Sequence, residues 1–326
     1  MKVFNIENEN EWGIKRNLKM LEKNEFYRVF DYNCSTGKAI FIVYDLYPGV
    51  QITFNDFDTP DIIESDSNNY GIIEISHCLH GRVECEFDDH KYTYIGENNF
   101  AICSTKYIPN NFSFPLNRYY GISIVIDLNK VSKSFKKVIG DLDIDLIDIV
   151  HRLELDKSWY INKANYKIEH ILKEIYALKN EKETGYFKIK VVELLYFINR
   201  LSIENRAEFK YYSGSVIRKI KQMRDFLIDN LDDKIKLEEL SKKYNISLTM
   251  FQRVFKRIYG DTPYAYIKKY RMNKAALLMC STEKNINTIA MEVGYSNASK
   301  FSNAFKDVYG ILPKDYRKES TIMEHY

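Results

Sequence analysis

The sequence predicts an α+β protein. A β-rich N-terminal half leads through a helical segment to an all-α C-terminal domain holding two helix-turn-helix units. Three observations predict this. Residues from about 38 to 128 alternate apolar and polar and are rich in β-branched and aromatic side chains. Residues 141–208 change to a helical period. The last hundred residues carry one string twice: Phe255-Lys256-x-x-Tyr259-Gly260-x-x-Pro263-x-x-Tyr266 recurs as Phe305-Lys306-x-x-Tyr309-Gly310-x-x-Pro313-x-x-Tyr316. Two copies are too few for a solenoid, so the repeat reads as a duplicated supersecondary unit.

Within the first half, seven runs read as strands: 39–44, 50–54, 71–76, 82–87, 91–95, 99–103 and 121–126. Turn signals separate them: Pro48-Gly49, His80-Gly81, Asp88-Asp89 and the 96–99 run. His80-Gly81 reads as a hairpin turn. Short strands this closely spaced predict a sandwich or small barrel.

Two apolar stripes follow. Ile168, Ile171, Leu172, Ile175 and Tyr176 form one; Phe187, Val191, Leu194, Leu195 and Ile198 form the other. Helices flanked by this much charge bury one face, against the sheet or against another subunit. Residues 202–215, with Ser213-Gly214, read as a linker. Ser215 then opens a helix whose Val216, Ile220, Met223 and Leu227 face inward.

In the C-terminal part, Leu237, Leu240 and Tyr244 fall on one face of a short helix. Asn245 tolerates the left-handed conformation that ends it, and Ser247 caps the next helix. That helix buries Phe251, Val254, Phe255 and Ile258. In the second copy, Ile286, Ile289, Ala290 and Val293 make the first helix's face. Gly294 is the break, Ser296 or Asn297 caps, and Phe301, Ala304, Phe305 and Val308 are buried. Each unit is helix, tight turn, helix. Thr262 caps a connecting helix with Pro263 at its first position, running to about Cys280, roughly 25 Å long. It reads as a rigid strut that holds two readers in grooves about one DNA turn, ≈ 34 Å, apart.

Charge divides the same way. The chain's net +3 combines 27 basic and 32 acidic residues in 1–214 with 21 basic and 12 acidic in 215–319. The basic excess therefore sits on the helix-turn-helix part, as polyanion binding requires.

Residues 216–318 resemble the DNA-binding domain of the AraC/XylS family of bacterial transcription regulators. The resemblance rests on Ile289-Ala-Met-Glu-Val-Gly294-Tyr295-Ser296, Phe301-Ser-Asn-Ala-Phe305-Lys306 and Tyr309-Gly310-Ile-Leu-Pro313-x-x-Tyr316-Arg317. Ser241 and Asn245 stand where the family usually has Ala and Gly, and both suit the turn. The resemblance implies a second helix of each unit in the major groove, so that one protomer reads two adjacent grooves of double-stranded DNA. It also implies a homodimer, RNA polymerase as a partner, and a small-molecule effector that the sequence does not identify. The exposed faces supply the candidates. Thr249, Gln252, Arg253 and Lys256 lie on the first reader; Ser299, Lys300, Asn303 and Lys306 lie on the second. Arg suits guanine O6 and N7, and Gln suits adenine. The resemblance places base contacts at Thr249, Gln252, Arg253, Lys300 and Asn303. Lys256 and Lys306 suit phosphate, which fixes register without reading sequence.

The N-terminal half resembles the cupin-like sensor barrel of such regulators, and through residues 76–82 the pyochelin-type siderophore regulators. The implied organisation is a cupin-like sensor domain over 1–135, a helical dimerisation segment and linker over 136–210, and the DNA-binding domain over 215–319. The implied function is a transcription regulator, an activator, responding to an effector.

A second reading, a metal-dependent cupin enzyme with a helical appendage, rests on His77, His80, Glu84 and Glu86. It fails on spacing. The cupin motif needs His-x-His so that i and i+2 share a strand face, whereas His77 and His80 stand three apart. No Ser/His/Asp spacing, P-loop or dinucleotide fingerprint appears. The expectation is therefore no enzyme, no cofactor and no metal. Cysteines 34, 78, 85, 103 and 280 show no CxxC and read as thiols of a reducing cytosol. The polar, acidic N-terminus and the lack of an apolar run near 18 residues predict a cytoplasmic protein and no membrane partner.

Overall fold

The computed structural model describes residues 18–32, 36–62, 71–179, 184–206, 211–233 and 235–323. The chain divides into two compact units, 1–213 and 214–326.

In the first unit, two strands lie ahead of the first run predicted from sequence, 39–44. β1 (Leu18–Lys23) and β2 (Tyr27–Tyr32) form a hairpin, and β2 pairs with β3 (Lys38–Tyr47). β1 is lysine-rich and largely exposed, as an edge strand needs to be to resist further pairing. β4 (Val50–Asp58), the short β5 (Asp61–Ile62) and β6 (Ile72–Phe87) follow. Then come β7 (Lys91–Gly96), β8 (Asn99–Ser104), β9 (Asn111–Ser113) and β10 (Tyr119–Asp127).

β6 corrects the expected turn at His80-Gly81. It is one strand of 16 residues, not two. Its first half lies between β10 and β8; its second half pairs with β7 and β9. Gly81 makes the bend between them, with φ +83, and a Cβ there would stand 1.9 Å from the Arg118 carbonyl oxygen. The register of β10 on β6 shifts at Tyr120/Gly121, opposite the bend. Glycine was needed here for a kink in a strand rather than for a loop.

All the ladders are antiparallel. Among the described residues they form an open path, β1-β2-β3-β4-β10-β6-β7, rather than a closed ring. The sheet nevertheless curls around a core. Phe30, Phe41 and Phe57 from one end join Val83, Phe87, Phe112 and Trp159 from the other in one buried cluster. The expected barrel is thus a curled, unclosed sheet.

The outer face of the sheet is covered by helices. α1 (Lys133–Gly140) and α2 (Leu146–Arg152) follow β10, then β11 (Tyr160–Lys163) adds to β8. α3 (Tyr166–Ala177) buries Ile168, Ile171, Leu172 and Ile175; α4 (Gly185–Ile198) buries Phe187, Val191, Leu194, Leu195 and Ile198. These stripes match the predicted ones and share a single core with Tyr44, Ile52, Phe54, Ile124 and Ile126 of the sheet. The expected linker is partly structured: Tyr212–Ser213 forms β12 on β7, while residues 207–210 lie outside the described residues.

The second unit contains α5 (Gly214–Asp229), α6 (Leu237–Lys243), α7 (Leu248–Tyr259) and α8 (Pro263–Ser281). α9 (Ile286–Glu292), α10 (Ala298–Tyr309) and α11 (Pro313–Met323) complete it. α5 buries Ile217, Ile220, Met223 and Leu227, so Ile217 takes the place expected of its neighbour Val216.

Candidate nucleic-acid interface

Each helix-turn-helix is built by local chemistry. α6 ends at Asn245, whose φ is +49, and the Ser247 hydroxyl accepts from the Met250 amide to start α7. α9 ends at Gly294, φ +87, and the Asn297 side chain accepts from the Lys300 amide at 2.9 Å to start α10. Of the two caps the sequence allowed, Asn297 is the one used. The left-handed residues stand 49 apart and the caps 50 apart, so the second turn is one residue longer than the first.

Beneath the readers the duplicated string makes duplicated packing. Phe251, Val254, Phe255 and Ile258 are buried in α7; Phe301, Ala304 and Phe305 are buried in α10. Phe255 meets Tyr266 edge-on at 5.4 Å, and Phe305 meets Tyr316 edge-on at 5.4 Å. Gly260 and Gly310 end the two reader helices with φ +86 and +79. The repeated Phe, Tyr, Gly, Pro and Tyr are therefore scaffold.

All eight predicted reader positions are exposed: Thr249, Gln252, Arg253 and Lys256 on α7, and Ser299, Lys300, Asn303 and Lys306 on α10. Each set lies on one helix face, opposite the buried phenylalanines. Their charges are uncompensated. Among the described residues, no carboxylate pairs with Arg253, Lys256, Lys300 or Lys306, and the Arg253 guanidinium reaches only the Met250 sulfur, at 3.2 Å. Several cations elsewhere in the same compact unit are paired. Lys268 meets Asp307 at 2.8 Å, Lys269 meets Asp261 at 2.8 Å, and Lys284 meets Glu292 at 2.8 Å. Free cations on two helix faces are what a polyphosphate can neutralise.

α8 joins the units. It runs 19 residues, about 28 Å at 1.5 Å per residue, with the Thr262 hydroxyl accepting from the Ala265 amide and Pro263 opening the helix. Its first half packs on α7 through Tyr266. Its second half supplies Met272, Ala275, Ala276 and Met279 to the core of the second helix-turn-helix. Sequence periodicity did not single out Arg271, midway along α8. Its guanidinium donates to the Leu231 carbonyl and faces the Tyr295 ring at 5.8 Å. The only sequence signal was Gly294, whose closeness to Leu231 no local pattern reveals.

The residues of the enzyme reading do not converge. His77 is buried against α3, with Nδ1 3.0 Å from the Tyr176 hydroxyl, and burial pulls its pKa down to about 4. His80 is exposed, stacked on Tyr120. Glu84 accepts from Tyr94 at 2.5 Å and from Ser113 at 2.8 Å; Glu86 accepts from Tyr92 at 2.6 Å. Among the described residues, no group of three His, Cys, Asp or Glu side chains could hold a metal ion. Burial pushes the Cys78 thiol up to about 12 and the Cys103 thiol well above its ordinary value. Both are inert thiols, whereas Cys280 is exposed and Cys34 lies outside the described residues. No helix among the described residues is long and apolar enough to cross a membrane.

Two tandem helix-turn-helix units with free cations on both second helices define a DNA-binding transcription regulator. Comparison with known proteins agrees. A family model described as a helix-turn-helix domain matches residues 240–319. The transcriptional activator RhaS of Mannheimia succiniciproducens is 28% identical over 269 residues, covering 81% of this chain and 87% of the relative. The Tn10 TetD protein of Escherichia coli is 31% identical over 99 residues, 30% of this chain and 72% of the relative. Among solved structures, the C-terminal domain of AraT, a response regulator from Geobacillus stearothermophilus, is 32% identical. It covers 31% of this chain and 84% of that one, with a TM-score of 0.30. The chain belongs to the AraC/XylS family of transcription regulators.

Proposed function

We propose that the chain reads two adjacent major grooves of duplex DNA with α7 and α10 and activates transcription in response to a small molecule. One observation carries the reading: both second helices expose a polar face whose cations lack carboxylate partners. Thr249, Gln252, Arg253, Lys300 and Asn303 contact bases; Lys256 and Lys306 contact phosphate; Ser299 stands beside Lys300 at the start of the second reader.

Arg253→Ala is expected to cost about 1–3 kcal/mol on the best site and to relax preference at one or two base pairs. Arg253 lies near the middle of α7, within reach of base edges. Lys256→Ala, one turn later, is expected to weaken all sequences equally and to lower the salt slope by roughly one. Site selection from random duplexes checks this. An unchanged consensus from Arg253→Ala, with the same information at every position, means that another face of α7 enters the groove.

The effector belongs in the first unit. The inner face of the curled sheet is mostly aromatic and apolar, yet it carries buried Gln51, Thr53 and Asn55 on β4, Ser123 on β10 and Ser76 on β6. The Asn55 amide donates to Ser123 at 3.0 Å. Such a polar patch within an apolar enclosure suits a small ligand with hydrogen-bonding groups. The β-rich domain over 1–135 is then the sensor, and 136–210 is the segment through which two protomers pair. Ile189, 62% exposed, and Tyr186, 38% exposed, stand on the outer face of α4, away from the stripe buried on the sheet. That face supports a homodimer. RNA polymerase is the partner through which an activator acts, and the cytoplasm is where it meets DNA. No catalytic role is assigned to the chain, because His77, His80, Glu84 and Glu86 each serve a separate structural contact. Purified protein is expected to contain no stoichiometric transition metal by elemental analysis. Stoichiometric iron or zinc that is lost in His77→Ala would reverse this assignment.

A further inference from the structure

We propose that Arg271 is a positioning residue that locks the two readers in one phase and so sets the spacing tolerated between the two DNA boxes. The proposal rests on the two-reader function above. α8 gives its first half to the first helix-turn-helix and its second half to the second, and Arg271 stands at the changeover. Its Nη2 donates to the carbonyl of Leu231, which follows α5 on the side of the first helix-turn-helix. The same guanidinium faces the ring of Tyr295, in the turn between α9 and α10 of the second helix-turn-helix, at 5.8 Å. Tyr295 packs edge-on against Phe301 of the second reader at 5.7 Å. Gly294 completes the junction. A Cβ there would lie 2.3 Å from the Leu231 oxygen and 3.0 Å from the guanidinium carbon, so the two helix-turn-helix halves of the 214–326 domain meet backbone to backbone.

One planar group thus ties a carbonyl beside the first helix-turn-helix to an aromatic ring of the second. A guanidinium can donate along its edge while its face covers a ring; an ammonium is a point charge and cannot hold both in one orientation. Lys268–Asp307, from the same half of α8 to the second reader, is more exposed and bridges only the strut and one unit. Without Arg271 each reader keeps its own core, but the angle between them loosens. The expected loss therefore appears in spacing selectivity rather than in base preference.

The test uses the full chain. Sites are first selected from random duplexes, and affinity is then measured on the two-box consensus and on versions with one base pair inserted or removed between the boxes. The native chain is expected to lose tenfold or more with either change. Arg271→Ala and Arg271→Lys are expected to bind the native spacing about tenfold more weakly, to discriminate spacings by less than threefold, and to select the same bases within each box. Arg271→Lys keeps the aliphatic stem and the charge, so it reports even if the alanine variant does not fold. If both variants discriminate spacings as the native chain does, or lose affinity by the same factor at every spacing, Arg271 is not the positioning residue. A native consensus with one box instead of two overturns the two-reader function itself, and the proposal with it.

Discussion

A fragment spanning residues 210–326 is expected to bind duplex DNA on its own and to lose roughly 10³- to 10⁵-fold in affinity between 50 and 200 mM salt. The region from 215 to 319 carries nine more basic than acidic residues, and its reader cations make no ion pairs among the described residues. Each phosphate neutralised releases condensed counterion, so six to ten contacts give a drop of that size. The fragment keeps the whole second compact unit, including α5, which packs on α7 and α8. Titration of a labelled duplex at several salt concentrations measures the slope. A fragment that retards no duplex at low salt removes the basis for placing α7 and α10 in the grooves.

Phe305→Ala is expected to destabilise the second helix-turn-helix by about 3–5 kcal/mol. Phe305 is fully buried and lies against Phe301, Tyr309 and Tyr316, with centroids 5.9, 4.6 and 5.4 Å away. Alanine removes most of the ring and leaves a cavity among groups held by α8 and α11. A loss of that size is a large part of the roughly 5–15 kcal/mol that holds a typical domain together. Protection of the box read by α10 should disappear while the box read by α7 persists. Asn303→Ala, two residues earlier and exposed, should change stability by less than about 0.5 kcal/mol. Urea unfolding of the 210–326 fragment separates the two. Equal unfolding midpoints for Phe305→Ala and the native fragment would mean that this phenylalanine is not part of the core.

The second unit was legible in the sequence because its signals are local. The apolar positions of α7 and α10 recur within four residues of each other, and the caps at Ser247, Thr262 and Asn297 act within three. The same holds for the stripes of α3 and α4. The sequence did not decide that these stripes pack on the sheet rather than on a second protomer, since an apolar stripe is compatible with either. The shared core with Tyr44 and Phe54 resolves it. The reader residues were named from exposure and chemistry, and the structure places all eight on the exposed faces. Arg271 was passed over because its partners, Leu231 and Tyr295, lie 40 and 24 residues away.

By itself, then, the sequence determined the duplication, the helix faces, the caps and the basic excess, because periodicity, capping and charge act over a few residues or add over many. Tertiary structure decided whether Gly81 turns the chain or only bends a strand, whether the sheet closes, where β1, β2, β11 and β12 join it, and how the two readers are phased. A positive φ at glycine serves a hairpin and a kink equally well. Only the Arg118 carbonyl beside Gly81, brought from 37 residues away by the β10–β6 pairing, makes it the kink of a continuous strand.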